Sequence, residues 1–147
     1  MLRHALVALT TLVLLAARLV ADRRRGTSAL TAARGLVGCG RLVACFQPHL
    51  FTRTRDFAGE FGAALALADE VVVLDVYPAR EDPIAGVTGE LVADAARAEG
   101  ARVTYVADKR HAPGVLARVL RPGDLALTIG AGDVTAVGPA TMAQVMK

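Results

Sequence analysis

What most constrains this chain is an alternation that begins near residue 41, in which short apolar runs of strand length alternate with segments of helical periodicity. Arg41-Leu-Val-Ala-Cys-Phe46 is such a run, with β-branched and aromatic content, as expected of a strand covered on both faces. Val71-Val-Val-Leu-Asp75, Val103-Thr-Tyr-Val-Ala107 and Asp124-Leu-Ala-Leu-Thr-Ile129 repeat it. After the first run, Phe57, Phe61, Leu65 and Ala68 form one apolar helical stripe. Thr52 or Thr54 is the expected N-cap of that helix, with Asp56 in its first turn. A helix from about Thr88 to Gly100 should bury Leu91, Ala95 and Ala98, and a short one runs from Val115 to Leu120 before Arg121-Pro-Gly123. The last helix starts at Asp133 and kinks near Gly138-Pro139. Strands alternating with helices predict right-handed crossovers and an α/β fold of three layers, a mainly parallel sheet with flanking helices.

At 147 residues and 54% apolar content, the chain suits one domain with a packed core and is no disordered tail. Cys39 and Cys45 are spaced for neither a CxxC pair nor a zinc site, and Cys45 falls mid-strand, in the core. Aromatic content of 4% with no Trp argues against stacking platforms for nucleic acid. The formal charge of +3 resides in the first 25 residues, where five arginines face one acid; the remainder is slightly acidic. No basic face for a nucleic acid follows from it.

The N-terminus reads differently from the body. Residues 5–17, ALVALTTLVLLAA, are apolar and are followed by Arg18 and Asp22-Arg-Arg-Arg25. Thirteen residues fall short of the roughly 20 that a transmembrane helix needs. A charged start and an apolar middle fit a signal peptide, but arginines directly after the run are unusual for one. The favoured expectation is a buried or fraying helix, or sequence without a role, with a membrane anchor through residues 5–17 as the alternative.

In open parallel sheets ligands bind at the carboxyl ends of the strands, and three loops there are polar: Gln47–Asp56, Asp75–Glu81 and Gly130–Asp133. Arg53 and Arg55 stand near a helix start, where a cation is disfavoured unless an anionic ligand or solvent compensates it. His49 either bonds its own loop or meets a ligand. Glu81 and Asp82 are expected to be solvated, and Asp75, ending a buried strand, is the better candidate carboxylate. Gly130-Ala-Gly132 is a weak phosphate-loop signal, and Asp133 is an N-cap or a ligand. The chain has no GxxxxGK[ST] loop, no metal-binding His cluster and no catalytic triad motif.

Together, Phe46-Gln-Pro-His-Leu-Phe-Thr-Arg-Thr-Arg-Asp56, Leu74-Asp-Val-Tyr-Pro-Ala-Arg-Glu-Asp-Pro-Ile84 and Leu127-Thr-Ile-Gly-Ala-Gly-Asp133 resemble the Rossmann-like C-terminal domain of the Mur ligases, of the branch that joins L-alanine to UDP-N-acetylmuramate. The resemblance covers residues 28–147 and breaks near residue 27, which leaves residues 1–27 as a non-matching segment; a truncated, rearranged or misread gene is the expectation for it. The resemblance implies a cytoplasmic, ATP- and magnesium-dependent synthesis of an amide bond in peptidoglycan precursors. It implies that Arg53 holds the alanine carboxylate with His49 beside it, and that Tyr77, Glu81, Gly130, Gly132 and Asp133 line the amino-acid pocket. It gives no catalytic residue and no metal ligand to this stretch. Leu50 and Arg80 depart from the family pattern, which often has arginine and glycine there. The family's UDP-sugar-binding and ATP-binding domains are not in this sequence. The expectation is therefore a fragment inactive alone, with no tight nucleotide binding, or one complemented by separate ligase domains; a small-molecule or partner-binding module is the other reading.

Overall fold

The computed structural model describes residues 8–10, 23–130 and 132–147. The elements run β1 (Ala8–Thr10), α1 (Arg23–Leu36), β2 (Leu42–Gln47), α2 (Phe51–Leu65), β3 (Glu70–Leu74), α3 (Glu90–Ala98), β4 (Val103–Val106), α4 (Ala112–Val119), β5 (Leu125–Gly130) and α5 (Val137–Val145). Short 3₁₀ segments, Lys109–His111 and Gly132–Ala136, lead into α4 and α5. All pairings are parallel, in the order β1-β5-β2-β3-β4. The expected α/β class is what the chain adopts.

Side chains alternate along the central strands β2 and β3, and both of their faces are covered. Leu42, Ala44 and Phe46 of β2, with Val71 and Val73 of β3, pack with Leu30 and Ala33 of α1, Leu65 of α2 and Val92, Ala93 and Ala96 of α3. Val43 and Cys45, with Val72 and Leu74, face the other way, onto Ala112 and Leu116 of α4 and Val137 of α5. Burial on both faces is why these strands read as unbroken apolar runs. It also sorts the connections: the loops after β2 and β3 lead to helices on one face, those after β4 and β5 to helices on the other. A crevice opens where such loops diverge.

Several local expectations are corrected. Of the apolar run 5–17, residues 8–10 form a strand beside β5 rather than a helix, and the rest lies outside the described residues. α2 starts earlier than expected, with Leu50 at the N-cap position and no cap from its own side chain. Thr52 and Thr54 therefore lie inside the helix, and Asp56 lies beyond the first turn. Of the expected stripe, Leu65 and Ala68 are buried and Phe61 packs against the core, whereas Phe57 is 40% exposed; α2 also buries Phe51, Thr54 and Gly62. In α3 the buried residues are Val92, Ala93 and Ala96, not Leu91, Ala95 and Ala98. α4 begins at Ala112, with Pro113 in its first turn, where a missing N–H costs nothing. Pro139 likewise falls in the first turn of α5, so it helps to start that helix and does not kink it.

At the amino-terminal end of the sheet, Asp124 is 3% exposed. It accepts hydrogen bonds from Arg41 Nη2 (2.7 Å) and Nε (3.2 Å) and from the Arg121 amide (2.8 Å). Arg41 also pairs with Glu70 at 3.2 Å and donates to the Val119 carbonyl at 2.9 Å. The Asp124 hydrogen bond, opposed in part by burial, raises the Arg41 pKa and holds its charge. This clamp ties β2, β3 and β5 together at the edge away from the crevice.

Candidate functional site

The polar loops at the carboxyl edge converge on Tyr77. Its amide donates to the Pro48 carbonyl at 2.8 Å, and its carbonyl accepts from the Leu50 amide at 3.0 Å. The His49 ring stacks on the Tyr77 ring, with centroids 5.9 Å apart and planes 19° from parallel. From the third loop comes Gly132, with φ 78°; a Cβ there would lie 2.9 Å from a Tyr77 ring carbon. Only glycine gives both that backbone and that approach. A small apolar cluster of Phe51, Val76 and Val87 underlies the first two loops. Leu50 takes a left-handed φ of 69°, a strained conformation for a bulky residue, at the entrance to α2.

Glu81 is not the solvated side chain expected. Its carboxylate accepts from the Thr52 amide at 3.0 Å and from the Thr52 hydroxyl. The N-terminus of α2 is therefore capped from a loop 29 residues away, and those bonds lower the Glu81 pKa. Asp82 is exposed, as expected. Arg55 is satisfied by its neighbour Asp56 at 2.7 Å on the surface. Arg53, half-buried in the first turn of α2, forms no ion pair or hydrogen bond among the described residues.

That cation acts on His49. Burial and the nearby Arg53 charge lower the His49 pKa, against a smaller opposing pull from Glu81. Nδ1 of His49 is buried without a hydrogen-bond partner. Asp75 Oδ1 accepts from the amides of Val76 (2.8 Å) and Gly89 (2.9 Å), fixing the route from β3 to α3. Burial, and next the Asp75 carboxylate, push the Tyr105 hydroxyl up to about 12. Gly130 pairs in register with Gln47, where a Cβ would lie 2.7 Å from the Gln47 carbonyl oxygen. Ala131 lies outside the described residues.

Sequence reasoning passed over a fourth loop. Residues 107–110, leaving β4, line a cavity of about 400 Å³ together with Gln47 and the 75–78 loop. Lys109 in that loop forms an ion pair with Asp133, which lies within the 3₁₀ segment before α5. Arg110 holds Asp108 at 2.6 Å. The signal was present as Asp108-Lys-Arg-His111, a run of ionisable residues at a strand's carboxyl end. Of the seven candidate residues, Tyr77 lines this cavity, His49 and Gly132 touch Tyr77, Gly130 packs on Gln47, and Asp133 reaches the cavity through Lys109. Glu81 and Arg53 stand at the start of α2. Among the described residues no three His, Cys, Asp or Glu side chains gather to hold a metal ion, and no helix is long and apolar enough to cross a membrane.

Residues 26–132 match the family model of the Mur ligase, glutamate ligase domain. A UDP-N-acetylmuramate–L-alanine ligase of Cutibacterium acnes is 68% identical over 111 residues, covering 75% of this chain and 24% of that protein. The enzyme of the same name from Streptomyces avermitilis is 56% identical over 121 residues, covering 82% and 26%. Among solved structures, UDP-N-acetylmuramate-alanine ligase from Thermotoga maritima superposes with a TM-score of 0.62 at 25% identity, over 85% of this chain and 25% of that one. A murein peptide ligase from Psychrobacter arcticus shares the fold, with a TM-score of 0.65 at 13% identity. The chain thus spans about a quarter of the length of the curated relatives it matches.

Proposed function

The chain belongs to the Mur ligase family, and from that premise we propose that it presents the incoming amino acid in an ATP-dependent amide-bond synthesis. By likeness to the ligases of highest identity, the amino acid is L-alanine and its acyl partner is UDP-N-acetylmuramate. Residues 28–147 form the presenting domain, and the work is cytoplasmic, where such precursors are made. The supporting observation is Arg53: a half-buried guanidinium at a helix start, without a carboxylate partner among the described residues, beside an imidazole whose pKa is lowered. A carboxylate ligand compensates a cation so placed, and a charge-assisted pair of this kind is strong and directional. His49, neutral and stacked on Tyr77, shapes the pocket without adding charge; Gly130, Gly132 and Asp133 close it from the third loop, and Glu81 holds α2 and so Arg53 in place.

The family's ATP and magnesium need a phosphate-cradling loop and oxygen ligands. This sequence has no GxxxxGK[ST], and the described residues gather no metal-binding cluster. The proposal for this stretch therefore covers the incoming amino acid and leaves the phosphate chemistry to the family's ATP-binding domain.

Calorimetric titration of the 147-residue chain tests the reading. L-alanine should bind, and Arg53→Ala should weaken it about tenfold or more, the usual effect of removing a hydrogen-bonded charge. Absence of alanine binding by a folded sample overturns the assignment of the amino-acid seat. Tight binding of magnesium and ATP overturns the assignment of the nucleotide to other domains.

A further inference from the structure

The edge of β5 that faces away from β2 is held by residues outside the stretch that matches the family. On its other side β5 pairs with β2 along its whole length, from Leu42 with Leu125 to Gln47 with Gly130. The Leu125 amide donates to the Arg41 carbonyl at 2.9 Å, and so faces that side. Successive residues of a strand turn their amide and carbonyl to opposite neighbours, so Ala126 presents both groups to the outer edge. There β1 runs parallel, with Ala8, Leu9 and Thr10 in register with Leu125, Ala126 and Leu127. This register sends the Ala126 amide to the Ala8 carbonyl and the Thr10 amide to the Ala126 carbonyl, and it turns the Leu9 amide away from β5.

An uncovered edge is a row of unpaired donors and acceptors, and so a template for another chain. The chemistry of this edge says what it takes. Leu125, Ala126 and Leu127 are buried, and Leu125 and Leu127 share a core with Leu30 and Ala33 of α1. A strand laid beside them has to be free of charge, because its neighbours are out of water. Residues 5–17 carry no charged side chain. We propose that the β5 edge is an acceptor for an extended, uncharged, parallel segment, and that this chain fills it from its own N-terminus. Residues 8–10, outside the matched stretch 26–132, complete the sheet and guard its edge. Main-chain hydrogen bonds supply the direction and register, which is strand addition carried out within one chain. The segment that reads as having no role in the sequence thus has one. Held in the ladder, residues 8–10 are unavailable for a membrane anchor, so the two uses of the 5–17 run exclude each other.

Amide hydrogen exchange of the full ¹⁵N-labelled chain tests this with two proline substitutions one residue apart. Proline removes the amide of the residue it replaces, and an edge strand tolerates it where that amide faces away from the ladder. Thr10→Pro should therefore speed exchange at Ala126 about tenfold or more, whereas Leu9→Pro should leave it within about twofold. The Leu125 and Leu127 amides face β2 and should keep their protection in both variants, which reports that the domain is still folded. In the wild-type chain Ala126 should exchange as slowly as Leu125 and Leu127, a readout that stands even where a variant fails to fold. Fast exchange at Ala126 in the wild-type chain, or an equal effect of the two prolines there, overturns the role of residues 8–10 as the strand that β5 accepts.

Discussion

The charge state of His49 is set by residues on three different segments. Its own burial and the Arg53 cation oppose protonation, and Glu81 across the loop favours it by less. With the native pKa below the ordinary 6.5, the unfolded chain takes up this proton first as the pH falls. The contribution of His49 to stability is therefore complete above about pH 6.5 and is lost as the pH drops from there through the native value. Proton NMR of the ring should show a midpoint below that of free histidine, and Arg53→Ala should move it upward. An unmoved midpoint would mean that burial alone sets it. None of this coupling was legible in Pro48-His49-Leu50, because it depends on where Tyr77 and Glu81 arrive. Glu81 makes the same point: as a charged loop residue it read as solvated, whereas contact across 29 residues makes it the cap of α2. The identities of the candidate residues were readable; their partners were not.

Among the elements, strands were easier to read than helix faces. A strand buried on both sides must be apolar throughout, so β2, β3 and β5 stood out with ends correct to about one residue. In α3, by contrast, Leu91, Val92, Ala93, Ala95, Ala96 and Ala98 offer two competing stripes. The contact with α2 decides between them. Gly62 of α2 sits where a Cβ would lie 2.5 to 2.6 Å from the backbone and Cβ of Ala95 and from the Ala96 amide. The helices approach closely because that Cβ is missing, and this selects Val92, Ala93 and Ala96 as the inward face. Gly59, one turn earlier, is exposed with nothing within 4 Å of an added Cβ. The same substitution should thus have opposite signs in one helix. Gly59→Ala should stabilise by about 0.5–1 kcal/mol through helix propensity. Gly62→Ala should destabilise by about 1–3 kcal/mol, overpacking outweighing that gain. Urea denaturation of the two variants checks it, and a stabilising Gly62→Ala would show that the α2–α3 contact is looser than described.

For the molecule as a whole, the parallel sheet separates what holds the fold from the candidate site. Because the strands pair in parallel, the loops that leave β2, β3, β4 and β5 emerge at one edge, and the opposite edge is free to be a clamp. The order β1-β5-β2-β3-β4 puts β5 beside β2, and so brings the Gly130–Asp133 loop to Tyr77; local sequence pattern carried no information on that order. Arg41 precedes β2 and Gln47 ends it, so clamp and cavity are about 20 Å apart at the rise of a strand. That is about twice the screening length of ordinary buffer. Asp124→Ala leaves Arg41 with Glu70 and the Val119 carbonyl and takes the acceptor from the Arg121 amide, and should cost about 3 kcal/mol of stability. Replacing both partners, Arg41→Met with Asp124→Leu, should recover much of that loss, since the penalty of an unmatched charge disappears with the charge. In both variants the affinity for L-alanine, measured well below the melting temperature, should equal that of the wild-type chain. A loss of affinity in a fully folded Asp124→Ala sample would mean that the amino-terminal clamp sets the geometry of the carboxyl-edge loops through β2, and that the two edges act as one unit.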